Sequence, residues 1–192
     1  MSPDEMLSLL KQHGALLEGH FLLASGLHSG RYVEKFRLLE NPTATVAAVS
    51  ALAERVKKYA PEVVVGPMTG GVILSYEMAR QLNTLAYFTE KTADDKMELR
   101  RGFNVAGKRV LLIEDVVTTG GSILKSAEAV RQDEGIVVAF ALLVDRSSGK
   151  FHPPEPVESL LTLTIEIFTP ESCPFCAKGL PLVKPGSGRA KK

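Results

Sequence analysis

The chain has 192 residues, 45% of them hydrophobic and 23% charged, a balance that suits one domain folded around its own core. Lys and Arg number 23 against 22 Asp and Glu, so the formal net charge is +1; no global field draws nucleic acid or an anionic membrane, and any anion site must be local. The longest uninterrupted apolar run, residues 136–144, has nine residues, whereas a membrane-spanning helix needs about twenty. Asp4 and Glu5 stand where a secretory signal would be basic, so a cytoplasmic location is expected.

Ser2, Pro3 and Glu5 form a capping box with proline at the first helical position, and Met6, Leu9 and Leu10 share one face until Gly14 stops the helix. Residues 16–39 hold two apolar, strand-like stretches around the turn cluster SGLHSG, which predicts a small hood over about residues 1–40. Val46, Val49, Ala53 and Val56 recur at helical spacing between Asn41-Pro42 and Tyr59. Strand, glycine turn and helix then follow as residues 63–65, GPMTGG and residues 72–82, with another strand at 85–89. The polar stretch EKTADDKMELRRGF, residues 90–103, reads as a lid or binding loop. The pattern repeats with a strand at 110–113, the turn EDVVTTGG, a helix at 122–132 and a strand at 136–145; residues 160–168 offer one more strand. Such alternation predicts an α/β fold, a central parallel sheet with helices on both faces plus the N-terminal hood, in a single domain spanning 1–192 with a flexible tail from about 186 to 192. Cys173 and Cys176 form a single Cys-x-x-Cys, half of a four-ligand zinc site and too little for a disulfide framework; a structural turn is the first reading, with metal or redox work open.

The chemistry concentrates in VLLIEDVVTTGGS, residues 110–122. A buried strand delivers Glu114 and Asp115 to its carboxyl end, where carboxylates can accept hydrogen bonds from the vicinal hydroxyls of a ribose. The following glycines let backbone N–H groups approach a phosphate, Thr118, Thr119 and Ser122 offer hydroxyls, and a helix N-terminus adds its dipole. The Gly-Lys-Ser/Thr ending of a nucleoside-triphosphatase loop is missing.

This segment resembles the phosphoribosyl pyrophosphate (PRPP) signature of type I phosphoribosyltransferases. LLEGHFLLASGLHSGRY at 16–32, GPMTGG at 66–71, EKTADDKMELRRGF at 90–103, LLVDRSSG at 142–149 and the Cys-Pro-x-Cys tail are similar to orotate phosphoribosyltransferases within it. The resemblance implies transfer of a phosphoribosyl group from PRPP to orotate in pyrimidine biosynthesis, with magnesium carried on the pyrophosphate and no residue assigned as a direct metal ligand. It implies Asp115, Lys91 and Lys96 as catalytic residues, and PRPP held by Gly70, Gly71, Lys91, Lys96, Arg100, Glu114, Asp115, Val116, Val117, Thr118, Thr119, Gly120, Gly121 and Ser122. Orotate would meet Thr118, Arg146 and His28, the last standing where many members have a lysine in the hood turn. A homodimer is implied, with the lid shared across the interface and residues 90–98 expected to be too polar to pack on their own subunit's core. Many members also carry a lysine where this chain has Thr69, Gly70 and Gly71, so a cation near the leaving group must come from elsewhere.

Two other readings compete. A purine-base phosphoribosyltransferase would want an apolar or aromatic hood for stacking, whereas this one offers His28, Arg31 and Lys35, better suited to a carboxylate. A PRPP-sensing regulator without turnover would need a nucleic-acid surface, which neither the net charge nor a basic stripe supplies.

Overall fold

A computed structural model describes residues 1–23 and 25–185; the tail expected at 186–192 lies outside the described residues. Helix α1 (Pro3–Gln12) starts at the predicted box: the Glu5 amide donates to Ser2 Oγ at 3.2 Å and the Ser2 amide to Glu5 Oε2 at 2.6 Å. Strands β1 (Leu16–Leu22) and β2 (His28–Val33) pair antiparallel, followed by a short helix α2 (Lys35–Leu39) and by α3 (Pro42–Val56). A 3-10 turn carries α3 on to Tyr59. Then come β3 (Val63–Pro67), α4 (Gly70–Leu82), β4 (Leu85–Lys91), β5 (Met97–Leu99), β6 (Arg109–Val117), α5 (Gly121–Gln132), β7 (Ile136–Asp145), β8 (Val157–Thr162), β9 (Ile167–Phe168) and α6 (Pro174–Ala177).

Six strands form the main sheet in the order β5-β4-β3-β6-β7-β8, parallel except for β5, which makes an antiparallel edge. Two-residue periodicity divides its core. Val64, Leu111 and Ile113 join α1, α3 and α4 on one face, while Val63, Val65, Val110 and Leu112 pack with α5 on the other. Both faces are therefore covered, as the unbroken apolar strands require.

Three parts differ from the sequence reading. The hood is not an N-terminal unit of residues 1–40: Met6 and Leu10 of α1 are buried in the main core, and the hood sheet is β1-β2-β9, completed by residues from the other end of the chain. The segment expected as one strand at 160–168 is split, β8 ending the main sheet and β9 joining the hood. The expected polar lid is a hairpin of β4 and β5. Met97 is buried there, and at the hairpin's base the Phe103 ring stacks on Tyr87 with centroids 4.3 Å apart, so local pairing substitutes for missing apolar periodicity.

Helix α3 begins where Asn41 Oδ1 accepts from the Ala44 amide at 3.0 Å. Asn41→Ala removes that cap and should cost about 1 kcal/mol, read as a lower urea midpoint at unchanged slope; an unmoved midpoint would show the cap to be energetically idle.

Candidate functional site

Strands β3 and β6 are parallel neighbours, so their carboxyl ends open on the same edge of the sheet. Each leads through a glycine turn into a helix, α4 from Gly70 and α5 from Gly121. Helices α1 and α3 have side-chain caps at their N-termini, but α4 and α5 have none, which leaves first-turn N–H groups of both for an external anion. A cavity of about 160 Å³ lies at the α5 end, lined by Glu114 and residues 116–123. Gly120 has φ +79°, and a Cβ there would fall 2.4 Å from a ring carbon of Phe151, so only glycine fits this turn.

Alternation along β6 sends its two terminal carboxylates to opposite sides. Glu114 borders the phosphate-sized cavity, whereas Asp115 turns toward α2 and α4. Asp115 is 2% exposed; its Oδ1 accepts from the Val116 amide at 2.7 Å, and Oδ2 lies 3.0 Å from Lys35 Nζ. A Cβ on Gly70 would come within 2.0 Å of that Oδ2, which gives this glycine its place: it lets the second loop close over the carboxylate. The open, ligand-facing Asp115 of the sequence reading is thus corrected to a buried, ion-paired one, placed between the two glycine turns.

Burial and then the neighbouring Asp115 charge push the Glu114 carboxyl up to about 8. Burial raises Asp115 too, against the pull of Lys35. Burial draws the Lys35 ammonium down, but Asp115 and Glu114 more than reverse this and raise it. The outcome is one anion, one cation and one neutral carboxyl near neutral pH, able to present both hydrogen-bond donors and acceptors to a polyol.

Arg146 follows β7, its amide donating to Val117 O at 2.8 Å, which holds it next to the phosphate turn. Its guanidinium is half-buried with Nε lacking a partner, and burial lowers it from its usual value while Tyr32 of the hood pulls it back up. Such a group keeps its charge and needs an acceptor. The lid cations lie along α5: a second cavity of about 160 Å³ brings Lys91 and Lys125 to Gly121 and Ser122, and a smaller one joins Lys96 to Lys125, Glu128 and Gln132. Lys91 pairs with Asp95 at 2.5 Å, Lys96 with Asp94 at 3.0 Å, and Arg100 with Glu98 at 3.0 Å; Lys125 also contacts Asp95. Residues 90–98 do pack on their own chain, contrary to expectation, because Met97 and Asp95 dock on α5.

Sequence reasoning missed Lys125 and the link from Lys35 to Asp115. Lys125 was findable, since a side chain one turn past Ser122 leans back toward the helix N-terminus. His28 is corrected in position: it begins β2 rather than standing in a turn, is 5% exposed, and turns its Nδ1 toward His20 and Cys176 inside the hood. A cavity of about 630 Å³ lies on the hood by Arg31, Phe168 and Phe175, bordered by none of residues 114–122; Arg31 there is balanced by Glu18 at 3.5 Å.

The raised Glu114 has a thermodynamic consequence. The native chain binds a proton that the unfolded chain, with a value near 4.5, releases, so stability conferred at low pH is lost as pH rises from about 4.5 through about 8. Glu114→Gln lacks this loss, and its melting temperature should gain several degrees on the wild type between pH 5 and pH 9. Parallel pH profiles for the two proteins would mean that Glu114 ionises as freely folded as unfolded.

The phosphoribosyl transferase domain model matches residues 37–175, spanning both glycine turns, the lid and Arg146. The orotate phosphoribosyltransferase of Caldicellulosiruptor bescii is 48% identical, over 97% of this chain and 98% of its own. That of Thermotoga maritima is 47% identical over 93% and 96%. Among solved structures, the orotate phosphoribosyltransferase from Aeropyrum pernix superposes with a TM-score of 0.73 at 29% identity, covering 82% of this chain and 93% of that one. With the carboxylate pair, the two open helix N-termini and Arg146 on one sheet edge, these likenesses make the chain a member of the orotate phosphoribosyltransferase family.

Proposed function

We infer that this protein transfers the phosphoribosyl group of PRPP to orotate, forming orotidine 5′-monophosphate and pyrophosphate in pyrimidine nucleotide biosynthesis. The observation that carries the acceptor is Arg146, a half-buried guanidinium with an unpartnered Nε beside the phosphate turn and opposite the hood. A planar fork so placed suits a planar carboxylate, which orotate has and the purine bases lack.

The reaction breaks the bond from ribose C1 to the pyrophosphate oxygen and forms one to an orotate ring nitrogen. Positive charge grows on the ribose as the leaving group departs, so positioning, water exclusion and neutralisation of pyrophosphate are the main demands. Residues 116–122 hold the 5′-phosphate through backbone N–H groups and the hydroxyls of Thr118, Thr119 and Ser122, with Thr118 also reaching toward orotate. Glu114 orients the ribose hydroxyls from the cavity side. Asp115 fixes Lys35 and, through its contact with Gly70, sets the second loop, where the amides of Gly70 and Gly71 receive pyrophosphate. Lys91 and Lys125, both beside Ser122, supply cations that the second loop lacks, and Arg100 adds charge from the lid. Magnesium supplies further charge neutralisation when it arrives on the pyrophosphate. Neither carboxyl is free to ligate it, Glu114 being held neutral and Asp115 buried against Lys35, so the ion would take its shell from phosphate and water.

The working form we propose is a cytoplasmic homodimer. Met68 in the turn before α4, and Ile73 and Tyr76 in its first two turns, support it: they are 48%, 40% and 68% exposed, large apolar side chains close in sequence to the Gly70 turn. Lys96 does not border Ser122 in its own chain but lines the cavity farther along α5, which favours its service to the partner's site.

Arg146→Ala should raise the orotate Michaelis constant roughly ten-fold or more, the worth of about 1.5–3 kcal/mol for a charge-assisted pair, and leave that for PRPP nearly unchanged. Equal movement of both constants would make Arg146 structural; a base panel in which a purine disappears instead of orotate would overturn the acceptor.

For the lid, Asp115→Asn and Lys96→Ala chains, each inactive alone, are unfolded and remixed in equal amounts. If the lid acts across the dimer, mixed dimers hold one whole site and about a quarter of wild-type activity returns. No recovery places Lys96 in its own subunit's site.

A further inference from the structure

The hood contains a second centre that the transfer reaction does not use. His20 of β1, His28 of β2, Cys173 at the N-cap of α6 and Cys176 within α6 converge so that one ligand atom from each lies within 4.8 Å of all the others. His20 Nε2 is 3.0 Å from His28 Nδ1, 3.4 Å from Cys173 Sγ and 3.6 Å from Cys176 Sγ, and Cys176 Sγ is 3.3 Å from His28 Nδ1. Ligands at the zinc–nitrogen and zinc–sulfur bond lengths, set at tetrahedral angles, stand about 3.3–3.8 Å apart along every edge. Four of the six edges here, at 3.0–3.6 Å, lie close to that spacing, and the other two are within 4.8 Å.

Their surroundings fit the same purpose. Cys173, His20 and His28 are 3%, 4% and 5% exposed, so three polar groups are buried here; among the described residues no charged side chain reaches them by hydrogen bond or ion pair, and Glu171 acts on His28 only through its charge. The other ring nitrogen of His20, Nδ1, lies 2.9 Å from Leu180 O. A carbonyl can only accept, so Nδ1 carries the proton and Nε2 turns a bare lone pair toward the two sulfurs, the orientation given to a metal-bound imidazole by its outer hydrogen bond. Cys176 is exposed, which leaves one side of the centre open to an incoming ion.

The hood also needs a staple. Strand β9 has two residues and pairs with β2 only at His28↔Phe168 and Ser29↔Ile167. Residues 174–185 are exposed or only partly buried, so apolar burial gives this end of the chain little to hold it. A metal joining β1, β2 and residues 173–176 closes a loop of some 145 residues and draws its strength from four bonds instead of a core.

We propose that His20, His28, Cys173 and Cys176 bind one structural zinc ion that clamps the C-terminal segment to the hood. Two thiolates and two imidazoles in a tetrahedron select zinc over the oxygen-seeking magnesium, and four protein ligands leave no open position for catalysis. By holding the start of β2, the ion fixes the strand whose far end presents Tyr32 and, just beyond it, Lys35 to Arg146 and Asp115. It acts on the transfer site through position alone.

The full chain, expressed in zinc-supplemented medium and purified without chelator, should contain about one zinc per chain by elemental analysis, with both thiols reduced. Replacement by cobalt should produce the intense visible absorption of a tetrahedral site together with sulfur-to-metal charge transfer. The Cys173→Ser, Cys176→Ser double variant should hold less than about a tenth as much zinc. His28→Cys, which keeps a ligand, should retain the metal that His28→Ala loses. Stripping the wild type should speed amide exchange in β1, β2 and residues 173–183 while leaving β3 and β6 protected. Reduced wild type with less than about a tenth of an equivalent after zinc dialysis overturns the proposal, as does a Cys173–Cys176 disulfide in the isolated protein or equal zinc in the double variant. If that variant does not fold, the wild-type stoichiometry and the cobalt spectrum decide alone.

Discussion

A carboxylate at the end of a fully buried strand must find a cation or give up its charge, and in this fold Asp115 finds Lys35, 3.0 Å away. The partners come from different layers, β6 in the centre of the main sheet and α2 just past the hood. Their attraction is strong because Asp115 is almost wholly removed from water, and the same burial would leave its charge stranded if Lys35 were lost. The pair therefore sets more than a local contact. It draws the end of the hood down onto the sheet edge, leaves Glu114 as the carboxyl that takes up a proton, and positions Asp115 for the close approach of Gly70.

The two glycine turns then work as a matched set. Each ends a parallel strand, opens a helix without a side-chain cap, and lies on one side of the carboxylate pair. In the binding mode proposed above, a doubly anchored ligand would span the sheet edge, with one phosphate group at each helix N-terminus and its ribose against the carboxylates. The second turn has no lysine of its own, whereas the α5 turn has Lys91 of the hairpin and Lys125 of α5 beside Gly121 and Ser122. Both are paired with Asp95 at the exposed surface, where water weakens such contacts and leaves the two cations free to exchange partners at low cost.

The hood follows a different logic from the core. Its sheet has three strands, two from the beginning of the chain and a two-residue one from near the end, and its large cavity is bordered by residues of both ends. Aromatic contacts such as Phe168 against Phe175 help to close it, while Phe175 also lies tilted beside His20. A small layer of this kind needs directional bonds because it buries too little apolar surface. The convergence of two histidines and two cysteines provides the donors for them.

Local chemistry was enough to read much of this protein from its residues in order. The capping box at Ser2, the valine-rich strands, the glycine turns after Glu114-Asp115 and Gly66-Pro67, and the α5 helix all depend on neighbours a few positions apart, and they appear where periodicity and turn chemistry put them. The phosphate turn was legible for the same reason. What only the tertiary structure decided are the partnerships made across long stretches of chain: Lys35 with Asp115, Lys91 and Lys125 beside Ser122, β9 in the hood, and His20 and His28 against Cys173 and Cys176. A Cys-x-x-Cys shows two ligands and is silent on the other two until folding brings the chain's ends together. Lys35 reads as a hood cation suited to a substrate's carboxylate until the chain's own buried carboxylate is placed before it. Distance along the chain carries no record of such meetings, because they are set by how the layers stack and by which charges that stacking removes from water.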